Sequence, residues 1–480
     1  MHVVHERIFV ACAMTKMKVD QRDKINLGEA NIPKLFTGIF VPTLLGLLFN
    51  AAFNITDGIF IGHGVGSSGL AAVNLAAPIF MAGTGIGLMF GIGASVVGAI
   101  HLSQNNPKAA NINITQAFIM STGVLVLLSL LLLAFADPVL RLFGSTENLL
   151  PLAREYYVWV MPSVALIAIQ IIGLFVIRLD GSPRYAMLTD AIPATLNIVL
   201  DYVFIFPLHM GLRGAAMATV ASSLVGVLMV VVYMVRLSGT IKWYRLKHTM
   251  TSILLTLRNT LCMCRIGLSG LLNESAIALM VMVGNQIFVR LLGEDGVAAY
   301  SVVCYLFPLI YTISNSVAQS AQPIISYNYG ARKEERVRQA FRFSMGVALV
   351  CAFVLSMVLV GSSGTLVGLF IQHGEHAYEL ASHGLPLFAS GILFLAFNVN
   401  VIGYYQSIRY ERVANRLTVM RGFVLMVISF VVLPLIAGVN GLWLAVPAAE
   451  FVTALMCLIS LFVTRRGRHS QYVAMSEVHP

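Results

Sequence analysis

The chain has 480 residues, of which 58% are hydrophobic and 11% charged, and a formal net charge of +10. A soluble domain carries about 25% charged residues, so the composition excludes a soluble globular protein with a large core and implies an all-α polytopic membrane protein. The positive charge does not point to nucleic acid, because the basic residues sit at the ends of apolar segments and no basic stripe interleaved with aromatics occupies a polar stretch.

The first residues form a lead-in, taken here as a cytoplasmic segment 1–33. Its short apolar piece IFVACAM is too brief to span and lacks a signal-peptide layout. Met14 or Met17 would serve equally well as the start of translation, since MKVDQRDK reads as an ordinary charged opening. Twelve apolar segments of spanning length follow, near 35–61, 70–100, 113–136, 155–177, 185–207, 212–236, 266–290, 297–327, 340–370, 384–406, 414–437 and 441–464. They group as an N-terminal six-helix lobe over 34–236, a basic cytoplasmic linker over 237–265, a C-terminal six-helix lobe over 266–464 and a cytoplasmic tail over 465–480.

The first span carries Asp57 inside its apolar run, with Asn54 beside it and Pro42 well before it. A carboxylate at membrane depth costs about 2.5–3.5 kcal/mol on insertion scales and usually faces a bundle interior or a water-filled path. The alternative is a hydrated acid near the helix end, ahead of the Gly-rich turn at 62–69. Pro42 removes a backbone hydrogen bond and can bend the helix. In the second span, GTGIGLMFGIG lacks the preceding strand that a nucleotide loop needs, and reads as close helix packing through small residues.

Span five carries Asn197 and Asp201 four residues apart, on one helical face. Asp57, Asp201 and Thr219 of span six fall at a similar level in the outer half of the membrane. Two carboxylates, an amide oxygen and a hydroxyl suit a sodium ion. They suit a shared proton equally well, because like charges close together in a low dielectric hold one proton between them. A third reading is a polar cluster that only ties helices together. Asp190 lies on the same face as Asn197 but nearer the cytoplasm, and reads as a helix-start or loop contact. Arg178, Asp180 and Arg184 around GSP read as a local ion network in a cytoplasmic turn.

The second half has its own intramembrane acid, Glu274, on span seven, and Asn398, Asn400 and Gln406 line span ten. These are candidate substrate or second-ion residues, together with Asn54. His373, Glu375, His376 and Glu379 form an outer turn that reads as a solvated loop rather than a metal site. The six cysteines, Cys12, Cys262, Cys264, Cys304, Cys351 and Cys457, form no CxxC pair, which speaks against a disulfide framework or zinc. No nucleophile elbow, HExxH or P-loop is present, so no enzyme is expected and no cofactor beyond a coupling ion, Na+ or H+.

All but four of the 31 Lys and Arg residues fall on one side of the spans, which places both termini in the cytoplasm. A shift of 227 positions lays the second half on the first: GSSGLAAVNLAAPIF at 66–80 falls on GEDGVAAYSVVCYLF at 293–307, and FPLHMGLRG at 206–214 on LPLIAGVNG at 433–441. Six spans per repeat is an even number, so the repeats are parallel. The shift puts Gly284 opposite Asp57 and Ile428 opposite Asp201, so the acids of the first half are not repeated.

VPTLLGLLFNAAFNITDGIFIGHGVGSSGLAAVNLAAPI, RLDGSPRYAMLTDAIPATLNIVLDYVFIF and GLRGAAMATVASS, in that order, resemble the MATE family of multidrug and toxic compound extrusion transporters, its DinF-like prokaryotic branch above all. The resemblance covers about residues 30–464. It implies a V-shaped pair of six-helix lobes in the inner membrane and export of cationic or amphipathic drugs in exchange for inward Na+ or H+, with the chain acting as a monomer. It also implies a cation site at Asp57, Asn197, Asp201 and Thr219, and a bending role for Pro42. Glu274 matches an acid used by the NorM-like branch, whereas Asn398 stands near the place of that branch's span-ten aspartate, which weakens a second-lobe ion site. A lipid-linked precursor flippase of similar two-lobe build is the alternative. It would want a cationic central cavity, and the arginines here sit at helix ends.

Overall fold

The computed structural model describes residues 26–143, 145, 147–247 and 249–476. The apolar piece near the N-terminus, both candidate start methionines and Cys12 lie outside the described residues. No β-strand occurs among those described.

Local chemistry sets the helix starts. α1 (Ile32–Gly64) begins where the Asn31 side chain accepts from Lys34 N at 3.5 Å, with a proline in the first turn. α2 (Ser67–Ser103) follows, and α3 (Pro107–Ala134) repeats the device, Asn106 accepting from Ala109 N at 3.1 Å ahead of Pro107. A short α4 (Ala136–Leu142) leads to α5 (Leu150–Leu179), α6 (Pro183–Ile205) and α7 (Gly211–Val232), which ends in a π-helical turn at Tyr233–Leu237. α8 (Met250–Gly330) is followed by α9 (Glu334–Gly361), α10 (Ser363–Gly368), α11 (His376–Ala389), α12 (Ile392–Ser407) and α13 (Glu411–Val419). A second π-helical turn, Met420–Leu425, joins α13 to α14 (Met426–Ser476).

Among the described residues nine helices are long and apolar enough to cross a membrane, and α11 with α12, bent by 44°, makes a tenth span. The long helices α8 and α14 each break at a glycine of positive φ, Gly293 (φ 68°) and Gly438 (φ 56°), and so supply two spans each. That makes the expected twelve. The expected basic linker is shorter than 237–265, because α8 already starts at Met250, where the Thr249 side chain accepts from Ser252 N at 3.3 Å.

The backbone carries the internal repeat. Gly66 (φ 92°) and Gly293 (φ 68°) are 227 positions apart, as are Asn105 (φ 57°) and Arg332 (φ 57°), and Gly211 (φ 57°) and Gly438 (φ 56°). Left-handed residues mark the chain's sharpest reversals, so three reversals recur in the two halves at one offset.

The chain packs into two compact units, residues 1–274 with 319–341, and residues 275–318 with 342–480. In the first unit an apolar cluster gathers Ile61, Tyr156, Tyr157, Val160, Ile205 and Leu212. The glycine run of α2 packs as a small-residue seam. Gly83, Gly87 and Gly91 back onto Val164, Ala168 and Phe175 of α5, while Gly85 and Gly93 back onto Leu271 and Met263 of α8. Gly267 in turn lies against the Met89 backbone. In the second unit the core is aromatic: the Phe288 ring lies 4.5 Å from Tyr300 and 5.1 Å from Trp443. The outer His376 and Glu379 are largely exposed and 3.9 Å apart.

The connection after α7 is pinned to the first unit. Both Asp180 oxygens accept hydrogen bonds: Oδ2 from the Tyr233 hydroxyl and Gly239 N, each at 2.8 Å, and Oδ1 from Thr240 N at 2.9 Å and Ile241 N at 3.1 Å. Asn111 then brackets the same segment, donating to Thr240 O at 3.3 Å and accepting from Lys242 N at 2.9 Å.

Two outcomes follow from this packing. Gly267→Ala drives a methyl group into the Met89 carbonyl and lowers stability by about 1–3 kcal/mol, read as a lower melting temperature in detergent. Gly123→Ala, with nothing within 4 Å of the added carbon, leaves melting unchanged. Asp180→Ala removes four hydrogen bonds and speeds tryptic cleavage at Lys242, Arg245 and Lys247 several-fold, visible on a gel time course.

Candidate functional site

α1 and α6 lie side by side in the first unit. Gly46 meets Asp190, whose Oδ2 would stand 3.0 Å from a side chain there, and Gly64 meets Ile205. Both numbers rise together, so the two helices run in the same direction, and Asp57 comes level with Asp201. Close approach at two glycines is what brings the acids into contact.

The side chains of Asp57 and Asp201 lie within hydrogen-bond reach of each other. Asp201 is fully buried and Asp57 half-buried. Oδ1 of each is buried and receives no donor from another residue. Two carboxylates cannot hydrogen bond without a proton between them, because both are acceptors when ionised. With its amide nitrogen turned toward the acid, Asn197 donates to Asp201 Oδ2 at 2.7 Å and its oxygen accepts from Thr219 N at 3.2 Å. The Thr219 hydroxyl donates to Ala215 O at 3.1 Å on its own helix. Asp57, Asn197, Asp201 and Thr219, picked from the sequence on three separate helices, therefore share one neighbourhood.

The donor set is uneven for a metal. Two carboxylates and the lone pairs of the Thr219 hydroxyl could face a sodium ion. With the amide assigned in that orientation, the Asn197 oxygen faces a backbone N–H and the nitrogen serves Asp201 as a donor.

Tyr156 of α5 is a buried residue near the pair that the sequence reading passed over. It lies within electrostatic reach of both acids and belongs to the apolar cluster that includes Ile61, Ile205 and Leu212. Its signal in the sequence is weak, because one tyrosine among aromatics in REYYVWV has no distinguishing mark.

Pro42 is buried within α1, which continues through it. Its ring leaves the Gly38 carbonyl without a helical partner. Asn54 is exposed and bonds along its own helix, its amide donating to Asn50 O at 2.7 Å. Asp190 is not a loop contact. It is buried, 4.0 Å from the buried guanidinium of Arg178, which donates to Gln319 Oε1 at 2.7 Å. The turn reading missed this because the partner Gln319 lies 141 residues away. Glu274 packs with the first unit, its Cβ facing the Gly85 position of α2.

The span-ten residues belong to the second unit. Asn400 exchanges hydrogen bonds with Ser344, at 3.2 and 3.3 Å, and Gln406 is buried near the end of α12. Asn398 donates to the side chain of Glu450 at 2.7 Å and to its carbonyl at 2.8 Å. Glu450 also accepts from Arg421 Nε at 2.7 Å, and both charges are buried. Glu450 lies in an apolar run and meets the criterion that singles out Asp57. Arg421, read from sequence as one of the cytoplasmic positive charges, is drawn inside by it.

Substituting Asn for Asp57 or Asp201 keeps the side-chain shape and puts an amide group in place of a carboxyl group. Each variant is expected to melt within a few degrees of the parent and to reach the membrane in equal amount, as judged by fluorescence-detected size exclusion.

Comparison with known proteins bears on this geometry. The MatE family model matches residues 42–203 and 271–435. The chain is 24% identical to the multidrug export protein MepA of Staphylococcus aureus (strain MSSA476) over 432 residues, covering 88% of this chain and 92% of that one. It is 23% identical over 448 residues to a FAD transporter of Shewanella oneidensis, covering 91% and 96%. Among solved structures, an outward-facing multidrug resistance MATE family transporter of the MOP superfamily superposes with a TM-score of 0.85 at 22% identity, covering 94% of this chain and 98% of that one. A MOP superfamily transporter from Pyrococcus furiosus, described as having a binding pocket of reverse polarity, gives 0.84 at 22% identity, covering 93% and 98%.

Proposed function

The chain belongs to the MatE family, and from that premise we propose that it is a multidrug exporter of the inner membrane, with both termini cytoplasmic, that moves cationic or amphipathic drugs outward against an inward cation. The acid pair in the first unit carries the coupling ion. Fold and family support a transporter rather than an enzyme.

The observation that carries the reading is the direct approach of the Asp57 and Asp201 carboxyls, which favours a proton or cation held between them. One proton between two acids leaves a single negative charge, and its loss leaves two. That change acts on the α1–α6 contact directly, because each helix supplies one acid. It also falls in the helix that Pro42 weakens. A charge-dependent contact of this kind biases two access states, provided the proton binds one state better than the other. One charge entering down 100 mV supplies about 2.3 kcal/mol, enough to sustain a drug gradient of roughly fifty-fold. The donor role of Asn197 favours the proton over sodium, since an ion-binding amide would present its oxygen.

The test is transport of a fluorescent organic cation into inverted vesicles, the direction of efflux from the cell, under an imposed pH gradient or an imposed sodium gradient. The parent protein is expected to respond to the pH gradient. Asp57→Asn and Asp201→Asn each bring efflux to the level of empty vesicles while membrane abundance is retained. Full efflux in either variant would count against the site, and a response to sodium alone would replace the proton with sodium. Because one relative is named for FAD, competition by FAD belongs in the same assay. Inhibition of dye transport by FAD would extend the cargo toward anionic nucleotides.

A further inference from the structure

Among the described residues the second unit contains one buried acid, Glu450 of α14, and that acid is already matched by a cation. Arg421 donates Nε to Glu450 Oε1 at 2.7 Å. Asn398 donates to Oε2 at 2.7 Å, so both carboxylate oxygens are engaged. The guanidinium lies 6.0 Å from the centre of the Tyr311 ring, within reach of a cation–π contact. Arg421 is 6% exposed and Glu450 1%. Asn398 Oδ1, also buried, receives no donor. The ingredients of a cation site are therefore assembled: a carboxylate, an amide oxygen and an aromatic face.

Arg421 stands on the π-helical turn Met420–Leu425. Such a turn inserts a residue into the helical ladder and re-aims the side chains around it, and π-turns are frequent at functional sites. The turn directs Arg421 into the unit beside Glu450. A guanidinium stays protonated throughout the physiological range, so its charge cannot be exchanged.

We propose that the second unit holds a cation pocket formed by Glu450, Asn398 and Tyr311, permanently filled by the chain's own Arg421, so that this unit exchanges no ion and coupling is left to the first unit. The coupling part rests on the antiport reading above. The pocket itself does not.

The test needs no transport. Arg421→Ala empties the pocket of its tethered guanidinium, and purified protein is titrated with methylguanidinium while melting is followed. The expected result is a saturable rise in melting temperature, with affinity roughly tenfold or more above that of an Arg421→Ala, Glu450→Gln double variant, the difference of one charge-assisted contact. Equal response in the two proteins would overturn the pocket. If Arg421→Ala cannot be isolated, Arg421→Gln with Glu450→Gln decides, since it keeps the unit neutral and polar. That variant is expected to transport with the ion dependence of the parent, and altered ion dependence would overturn the proposal. Asp57→Asn with Asp201→Asn supplies the converse. It is expected to show no saturable proton or sodium effect on melting, and a residual effect that Glu450→Gln abolishes would mean the second unit exchanges ions after all. Failure of drug efflux by the parent would refute the antiport reading and leave the methylguanidinium result standing.

Discussion

A carboxylate buried among helices must be neutralised, because an isolated charge in a low dielectric is prohibitively costly. The two units meet this demand in opposite ways. In the first, Asp57 and Asp201 lie beside each other, and on the antiport reading a mobile ion relieves them. In the second, Glu450 is relieved by Arg421, which is part of the chain. Losing one partner of a buried ion pair costs about 3–5 kcal/mol, so the second arrangement stabilises one structure. On that same reading the first leaves the energy of its unit dependent on what the solution supplies.

Small residues make the first arrangement feasible. Gly46 and Gly64 let α1 lie against α6 at two points that bracket Asp57. The glycine run of α2 does the same toward α5 and α8. In a bilayer, helices gain little from hydrophobic burial against each other, and close backbone approach supplies packing in its place. The inner end of the first unit is held by polar contacts: Asn328 donates to Leu27 O at 2.9 Å, Arg336 to Ala30 O at 2.7 Å, and Asp180 gathers the connection after α7. These contacts anchor the start of α1, so that a change at Asp57 is felt along a helix whose weak point is Pro42.

The internal repeat clarifies why function is lopsided. The turns at Gly66 and Gly293, and at Gly211 and Gly438, keep the same backbone geometry in both halves. Turn geometry is what the helical scaffold needs, so it recurs. The acids do not recur, because a site needs to exist only once. Asp57 and Asp201 have glycine and isoleucine as counterparts, whereas Glu450 and Arg421 occupy positions with no charged counterpart in the first half.

Composition and the spacing of apolar runs determined the twelve spans, the parallel repeat and the six-helix halves, because bilayer thickness and the positive-inside bias act on the chain locally. They also marked Asp57, Asn197, Asp201 and Thr219, since a polar residue in an apolar run stands out wherever it later packs. Tertiary structure alone decided which of these groups touch. It turned the Asn197 amide nitrogen toward Asp201, set Asp190 against Arg178, drew Tyr156 toward the acid pair and carried Arg421 into contact with Glu450. All but the Asn197–Asp201 pair join residues from different elements, and their geometry depends on how closely α1 approaches α6 at Gly46 and Gly64 and on one π-helical turn, neither of which leaves a periodic trace in the order of amino acids.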